Sequence, residues 1–214
     1  MNMAVYDLEE QEQIDEFKAW WNQYRNIVTL LVVAVLLTLT GMQGWRYYQN
    51  RQALEAGTLY LQMQTAAAGN DAKKTQDIAA VIIDKYPRTT YASFAALAAA
   101  KAAFDSGDKT AARTRLQWVT ENGRDAETRD IARLRLAAVL LDEKKYDEAL
   151  KVLDAPHVDS LTALYADLKG DVLVAQNKPA DARAAYQLAL DKSEPKSTYR
   201  ALIQVKLDAL GSAK

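Results

Sequence analysis

The chain has 214 residues, with 27 Lys and Arg against 28 Asp and Glu, one histidine and no cysteine, for a formal net charge of -1. The absence of thiols excludes a disulfide framework, a cysteine nucleophile and a thiolate metal site, and a single imidazole leaves little for acid–base chemistry. Basic and acidic residues are interspersed rather than gathered into a basic stripe with aromatics, so no nucleic acid is expected as a partner.

Residues 1–25 form an acidic tail, with Asp7, Glu9, Glu10, Glu12, Asp15 and Glu16 against Lys18 and Arg25. Ile14, Phe17, Trp21 and Tyr24 are spaced three, four and three apart, which places them on one side of a helix that enters or lies on a headgroup layer. Residues 1–10 read as disordered.

Residues 26–45 carry no charge and are held between Arg25 and Arg46. Twenty helical residues rise about 30 Å, the thickness of a bilayer's hydrocarbon core. The run Ile27 to Leu37 contains one polar side chain, Thr29, whose hydroxyl is able to bond back to its own helix. Trp20, Trp21 and Tyr24 on one side and Trp45, Tyr47 and Tyr48 on the other supply interfacial aromatic belts. This segment is therefore read as a transmembrane helix in contact with a lipid bilayer. A cleaved signal peptide fits poorly, because the preceding region is acidic and no small-residue cleavage site follows. Lys18 and Arg25 balance Arg46 and Arg51, so charge leaves both orientations open. Within the span, Thr40 and Gly44 make a small-xxx-small pair with Gly41 beside them, a candidate face for a neighbouring helix.

Residues 46–214 are rich in alanine and leucine and lack strand-like alternation. Turn residues cluster between helical periods, at Gly69-Asn70-Asp71, Tyr86-Pro87-Arg88, Ser106-Gly107-Asp108, Asn122-Gly123, Asp154-Ala155-Pro156, Asn177-Lys178-Pro179 and Ser193-Glu194-Pro195. That spacing describes antiparallel helix pairs. Three segments align on Ala112, Ala149 and Ala182, which lie 37 and 33 residues apart. Four residues after each come Leu116, Leu153 and Tyr186; eight before, Phe104, Leu141 and Val174; twelve before, the small residues Ala100, Ala137 and Gly170. Small residues let helices approach and large ones fill the gap.

The pattern resembles the tetratricopeptide repeat, although Ala96, Arg133 and Ala166 stand where that repeat has an early tryptophan. A partial unit precedes the first full repeat, with Gln76–Lys85 as its second helix and Tyr47–Ala68 as its first. Ser197–Leu210 reads as a capping helix with Leu202, Val205 and Leu210 as its apolar residues. The expected fold is all-α: a single N-terminal transmembrane helix followed by a tetratricopeptide-like α-solenoid of antiparallel helix pairs. Such a stack leaves a groove lined by the first helix of each pair, which suits peptides and partner proteins. Mapping the repeat onto the groove gives Lys101, Asp105, Arg135, Asp142, Asp167 and Asp171 as candidate partner contacts.

No catalytic residue is expected. His157 stands alone in a loop between Asp154 and Asp159, and Asp142-Glu143 and Asp147-Glu148 flank Lys144-Lys145 at a helix turn, where acids complement a helix N-terminus. No phosphate loop, nucleotide fingerprint or nucleophile elbow is present, and no cofactor or metal is expected.

The order of these pieces resembles the YfgM-like ancillary subunits of the bacterial SecYEG translocon. The residues that carry the resemblance are Gly44-Trp45-Arg46-Tyr47-Tyr48 leaving the span, Thr90-Tyr91-Ala92 entering the first full repeat, and Ala166-Asp167-Leu168-Lys169-Gly170-Asp171 entering the last. The resemblance implies an inner-membrane protein with a cytoplasmic tail and a periplasmic repeat domain. Its implied partners are the translocon, a membrane-anchored periplasmic prolyl-isomerase-class chaperone and secretory polypeptides. The implied role is noncatalytic, passing emerging polypeptides to periplasmic chaperones. A membrane-tethered scaffold for a signalling or envelope-assembly partner is the alternative that the residues leave open.

Overall fold

The computed structural model describes residues 3–211, with side chains from residue 13 onward. Among the described residues there are nine α-helices, one short 3-10 turn and no strand. They are α1 (Met3–Ala68), α2 (Ala72–Lys85), α3 (Thr90–Asp105), α4 (Lys109–Asn122), α5 (Ala126–Asp142), α6 (Tyr146–Leu153), α7 (Thr162–Ala175), α8 (Pro179–Lys192) and α9 (Thr198–Ala209). Residues 3–10, read from sequence as disordered, belong to α1; residues 1 and 2 lie outside the described residues. Two compact units are formed, one ending at Arg51 and one beginning at Gln52.

In the first unit, α1 is apolar on every side across the uncharged stretch. Leu30, Leu37, Val32 and Val35 all stand more than half exposed although they lie at different angles around the helix. α1 is the one helix among the described residues that is long and apolar enough to cross a membrane. The threonine hydroxyls in the stretch are settled internally. The hydroxyls of Thr29, Thr38 and Thr40 donate to the carbonyls four residues back, at 2.7, 2.8 and 2.7 Å, as lipid surroundings require. The flanking aromatics pack along the helix: Phe17 on Trp20, Trp20 on Tyr24, Trp45 on Tyr48, with the Arg51 cation over the Tyr47 ring.

The second unit stacks consecutive helices around three connected apolar clusters. Residues 52–68 of α1 pair with α2, α3 with α4, α5 with α6 and α7 with α8, and α9 closes the last pair. Helix starts are capped by side chains: Asp71 accepts from the Lys74 N–H, Thr89 from Ala92, Asp108 from Ala111 and Asp125 from Thr128. α6 and α8 have no such cap; Asp147 and Glu148 in the first turn of α6, and Pro179 opening α8, stand in its place.

The aligned small residues are buried as the repeat demands: Ala100, Ala137, Ala112, Ala149 and Ala182 are enclosed, and so are Leu116, Leu153 and Tyr186. Five residues before each B-helix alanine the backbone turns left-handed, at Gly107, Lys144 and Asn177, which ends the preceding helix. Asn70 repeats that turn, and five residues later Thr75 occupies the place of the alanine, buried to 1% exposure. The partial unit therefore has the full register of the other three, with Met63 at the A-helix position and Ala79 at the B-helix position.

Side-chain size is exchanged across these pairs. Gly170 faces Tyr186 so closely that a Cβ would overlap the ring. Alanine faces leucine in the two middle repeats, and in the first Met63 and Ala79 share one core cluster with the large partner on the A helix. The residues eight before the alanines do not fill the gap: Phe104 and Val174 stand about 40% exposed and only Leu141 is covered in part. α9 is likewise turned from its expected face. Ile203 and Leu207 are buried, whereas Leu202 and Val205 point to solvent.

Ala79→Leu overpacks the first repeat, and Met63→Ala leaves a cavity. Each is expected to cost about 1–3 kcal/mol, and the double variant to recover most of the loss. Denaturant unfolding of all four proteins checks this; additive losses would show that the two sites do not share one volume.

Candidate partner-binding groove

Of the six polar residues placed on the groove by sequence, four lie on α3 and α5 and two on α7, and the two sets do different things. Lys101 and Asp105 pair one turn apart on the exposed side of α3. Asp142 at the end of α5 pairs with Lys109 at the start of α4, with both side chains near half exposed. Arg135 is exposed and has no ion pair or hydrogen bond among the described residues. Lys101 and Arg135 come together on the rim of a pocket of about 250 Å³ between α3, α4 and α5, whose walls include Leu97, Phe104, Leu116 and Val139. Lys101 is also a wall of a second cavity of about 530 Å³, on the α1–α2 side of α3, which Asp105 helps to line.

Asp167 and Asp171 are held in an internal ion-pair cluster. Asp167 is 6% exposed, and the Lys206 ammonium of α9 lies 2.8 Å from both carboxylates. The Tyr199 hydroxyl donates to Asp167 and the Tyr186 hydroxyl to Asp171, both at 2.7 Å. Burial first, and then the hydrogen-bonded carboxylates, push both phenols far above their ordinary value. Burial by itself would lower Lys206, but its hydrogen bonds to Asp167 and Asp171 outweigh that and raise it. These groups fasten the closing helix α9 to α7 and α8. Periodicity put the two aspartates on an A-helix face correctly; it carried no sign that Lys206, 35 and 39 residues away, would cover them.

A second buried node was not singled out from sequence. Asp130, 2% exposed, accepts the Val158 N–H at 2.9 Å and pairs with Arg133, while its own carbonyl accepts the Tyr165 hydroxyl at 2.7 Å. His157 stacks on the Tyr165 ring at 4.0 Å, so the lone histidine serves to seat the loop before α7. Asp154 pairs with Lys169 at 2.7 Å. The sequence carries no distinctive signal for this node, since Asp130 stands near the start of α5, where an acid is ordinary. In the span, Gly41 and Gly44 have open space where a Cβ would stand, and the Thr40 hydroxyl is turned back onto its own helix.

One helix long and apolar enough to cross a membrane, followed by stacked antiparallel helix pairs, defines the class as an all-α, tetratricopeptide-like solenoid with a candidate membrane span. The model of the tetratricopeptide repeat-like domain matches residues 18–212. The chain is 36% identical to the ancillary SecYEG translocon subunit of Neisseria gonorrhoeae, over 97% of this chain and 100% of that protein. It is 30% identical to the protein of that name from Haemophilus influenzae, over 86% and 90%, and 28% identical to that of Escherichia coli, over 97% and 99%. The chain belongs to the family of ancillary SecYEG translocon subunits with a tetratricopeptide repeat-like domain.

The Tyr165 phenol offers a pH test of the Asp130 node. Burial, followed by the Asp130 charge, raises it from 10.0 to about 12. The folded state thus holds this proton more tightly than the unfolded chain does. Its contribution is complete below pH 10 and is lost as the pH rises through about 12. Absorbance titration of phenolate should lose the component near pH 12 in Tyr165→Phe while the still later ones of Tyr186 and Tyr199 remain; an unchanged component near pH 12 would contradict the assignment.

Proposed function

We propose that this protein is a noncatalytic ancillary subunit of the SecYEG translocon. In this reading residues 26–45 span the bacterial inner membrane, the acidic tail is cytoplasmic and residues 46–214 form a periplasmic binding domain. The domain meets secretory polypeptides as they emerge and helps pass them to periplasmic chaperones, among them a membrane-anchored one of the prolyl-isomerase class. The observation that carries the reading is the match to relatives of that name along both units, anchor and repeats alike. Alignment through the repeats alone would support only a generic binding module.

The geometry supports a binding role. Asp167, Asp171 and Lys206 are spent on internal ion pairs, whereas α3 and α5 present an apolar pocket with a cationic rim. The span offers the translocon a smooth face at Thr40, Gly41 and Gly44, where no side chain of the chain itself intervenes.

Photo-crosslinking residues at Gly44 and at Lys101, in intact membranes, test both halves. Channel adducts from Gly44 and heterogeneous secretory adducts from Lys101 are expected. One stable, unrelated partner at both places would make the protein a dedicated scaffold for signalling or envelope assembly. Gly41→Leu with Gly44→Leu adds bulk only to the outward face, so the repeat domain should keep its unfolding midpoint while recovery of channel subunits falls severalfold. Equal recovery at equal expression would remove the span from the contact.

A further inference from the structure

The pocket between α3, α4 and α5 has two properties that together specify an occupant. Its volume, about 250 Å³, falls below the roughly 300–1,000 Å³ of cofactor and drug-sized sites, and it is open to solvent at Phe104. It therefore has room for one large side chain rather than for a small-molecule cofactor. The second property is charge. The neighbouring ions are matched, Lys101 with Asp105, Lys109 with Asp142 and Arg133 with Asp130. Arg135 alone on this rim has no carboxylate facing it among the described residues. A guanidinium fork at the edge of an apolar pocket is complementary to a carboxylate attached beside an apolar group.

The second cavity indicates how such a ligand would lie. It adjoins the first across Lys101, and among its lining residues the alanines Ala67, Ala72, Ala98 and Ala102 stand beside polar ones that include Thr75 and Asp105. Methyl groups leave space for a backbone to pass close to the helices, which suits an extended chain rather than a bulky helix.

We propose that the α3–α5 pocket is a docking site for an extended polypeptide segment carrying a large apolar side chain next to a carboxylate. The side chain enters between Leu97, Phe104 and Val139, and the carboxylate pairs with Arg135. This rests on the reading of the repeat domain as a partner-binding surface and adds the chemistry that it selects.

The test uses the full chain in nanodiscs and fluorescent ten-residue Gly/Ser peptides with a central Phe-Glu, Phe-Gln or Ala-Glu. The Phe-Glu peptide should bind roughly twofold to fivefold more tightly than Phe-Gln, the range for an exposed ion pair, and at least roughly tenfold more tightly than Ala-Glu, which lacks the side chain that fills the pocket. Arg135→Gln should bring Phe-Glu down to Phe-Gln without weakening Phe-Gln, and Ala138→Trp, filling the pocket from an exposed helix position, should weaken every peptide. Equal binding of Phe-Glu and Phe-Gln to the unmodified chain, or binding indifferent to both substitutions, overturns the proposal. So does displacement of the peptide by lipid or by a second copy of the chain. Crosslinking from Lys101 separates the two levels. Protein adducts without peptide discrimination overturn the pocket chemistry alone, and an absence of protein adducts overturns the binding role beneath it.

Discussion

Everything in the repeat domain depends on the distance between the two helices of each pair, and that distance is set by one exchange of side-chain volume. Where the A helix carries Gly170, the B helix carries Tyr186; where it carries Ala100 or Ala137, the partner is leucine; where it carries Met63, the partner is Ala79. Interiors packed to crystal-like density tolerate such swaps only when the sum is kept. Constant spacing lets each pair rest on the next, and the stack in turn brings α3, α4 and α5 close enough to leave a pocket but not to close it.

The span answers a different constraint with equal economy. Lipid accepts no unpaired backbone or hydroxyl group, so the three threonines bond back into the helix and leave a surface that is mainly aliphatic, with Gly41 and Gly44 open. Attraction between such a helix and a neighbour must come from close packing, since burial from lipid yields no hydrophobic gain. Glycine and alanine thus set the close approach of helices within the repeat unit, while Gly41 and Gly44 of the span meet nothing within the chain.

How much could be read beforehand follows from the range of the interactions involved. The uncharged stretch, the turns and the aligned alanines are local patterns, and they predicted the helices and three of the four repeats. The first repeat was only half seen because its size exchange is reversed: Met63 and Thr75 do not look like the small residues at the matching positions. Leu202 and Val205 misled, and the pairing of Asp167 and Asp171 with Lys206 went unseen, for one reason. A twelve-residue helix with apolar residues on more than one side does not reveal which side is covered until Ile203, Leu207 and Lys206 are seen against α7 and α8. The pocket was legible only as two charges, Lys101 and Arg135, since its walls come from three helices.

The central claim is that the accessible apolar face of α3 and α5 is where partners meet this protein. Hydroxyl-radical footprinting in native membranes, with and without a polypeptide arrested in the channel, reads that face one side chain at a time. The account predicts that Phe104 loses its reactivity when the channel is occupied, while Leu202 and Val205 on α9 keep theirs. Protection of Leu202 and Val205 with Phe104 unchanged would place the contact on the closing helix and contradict the account.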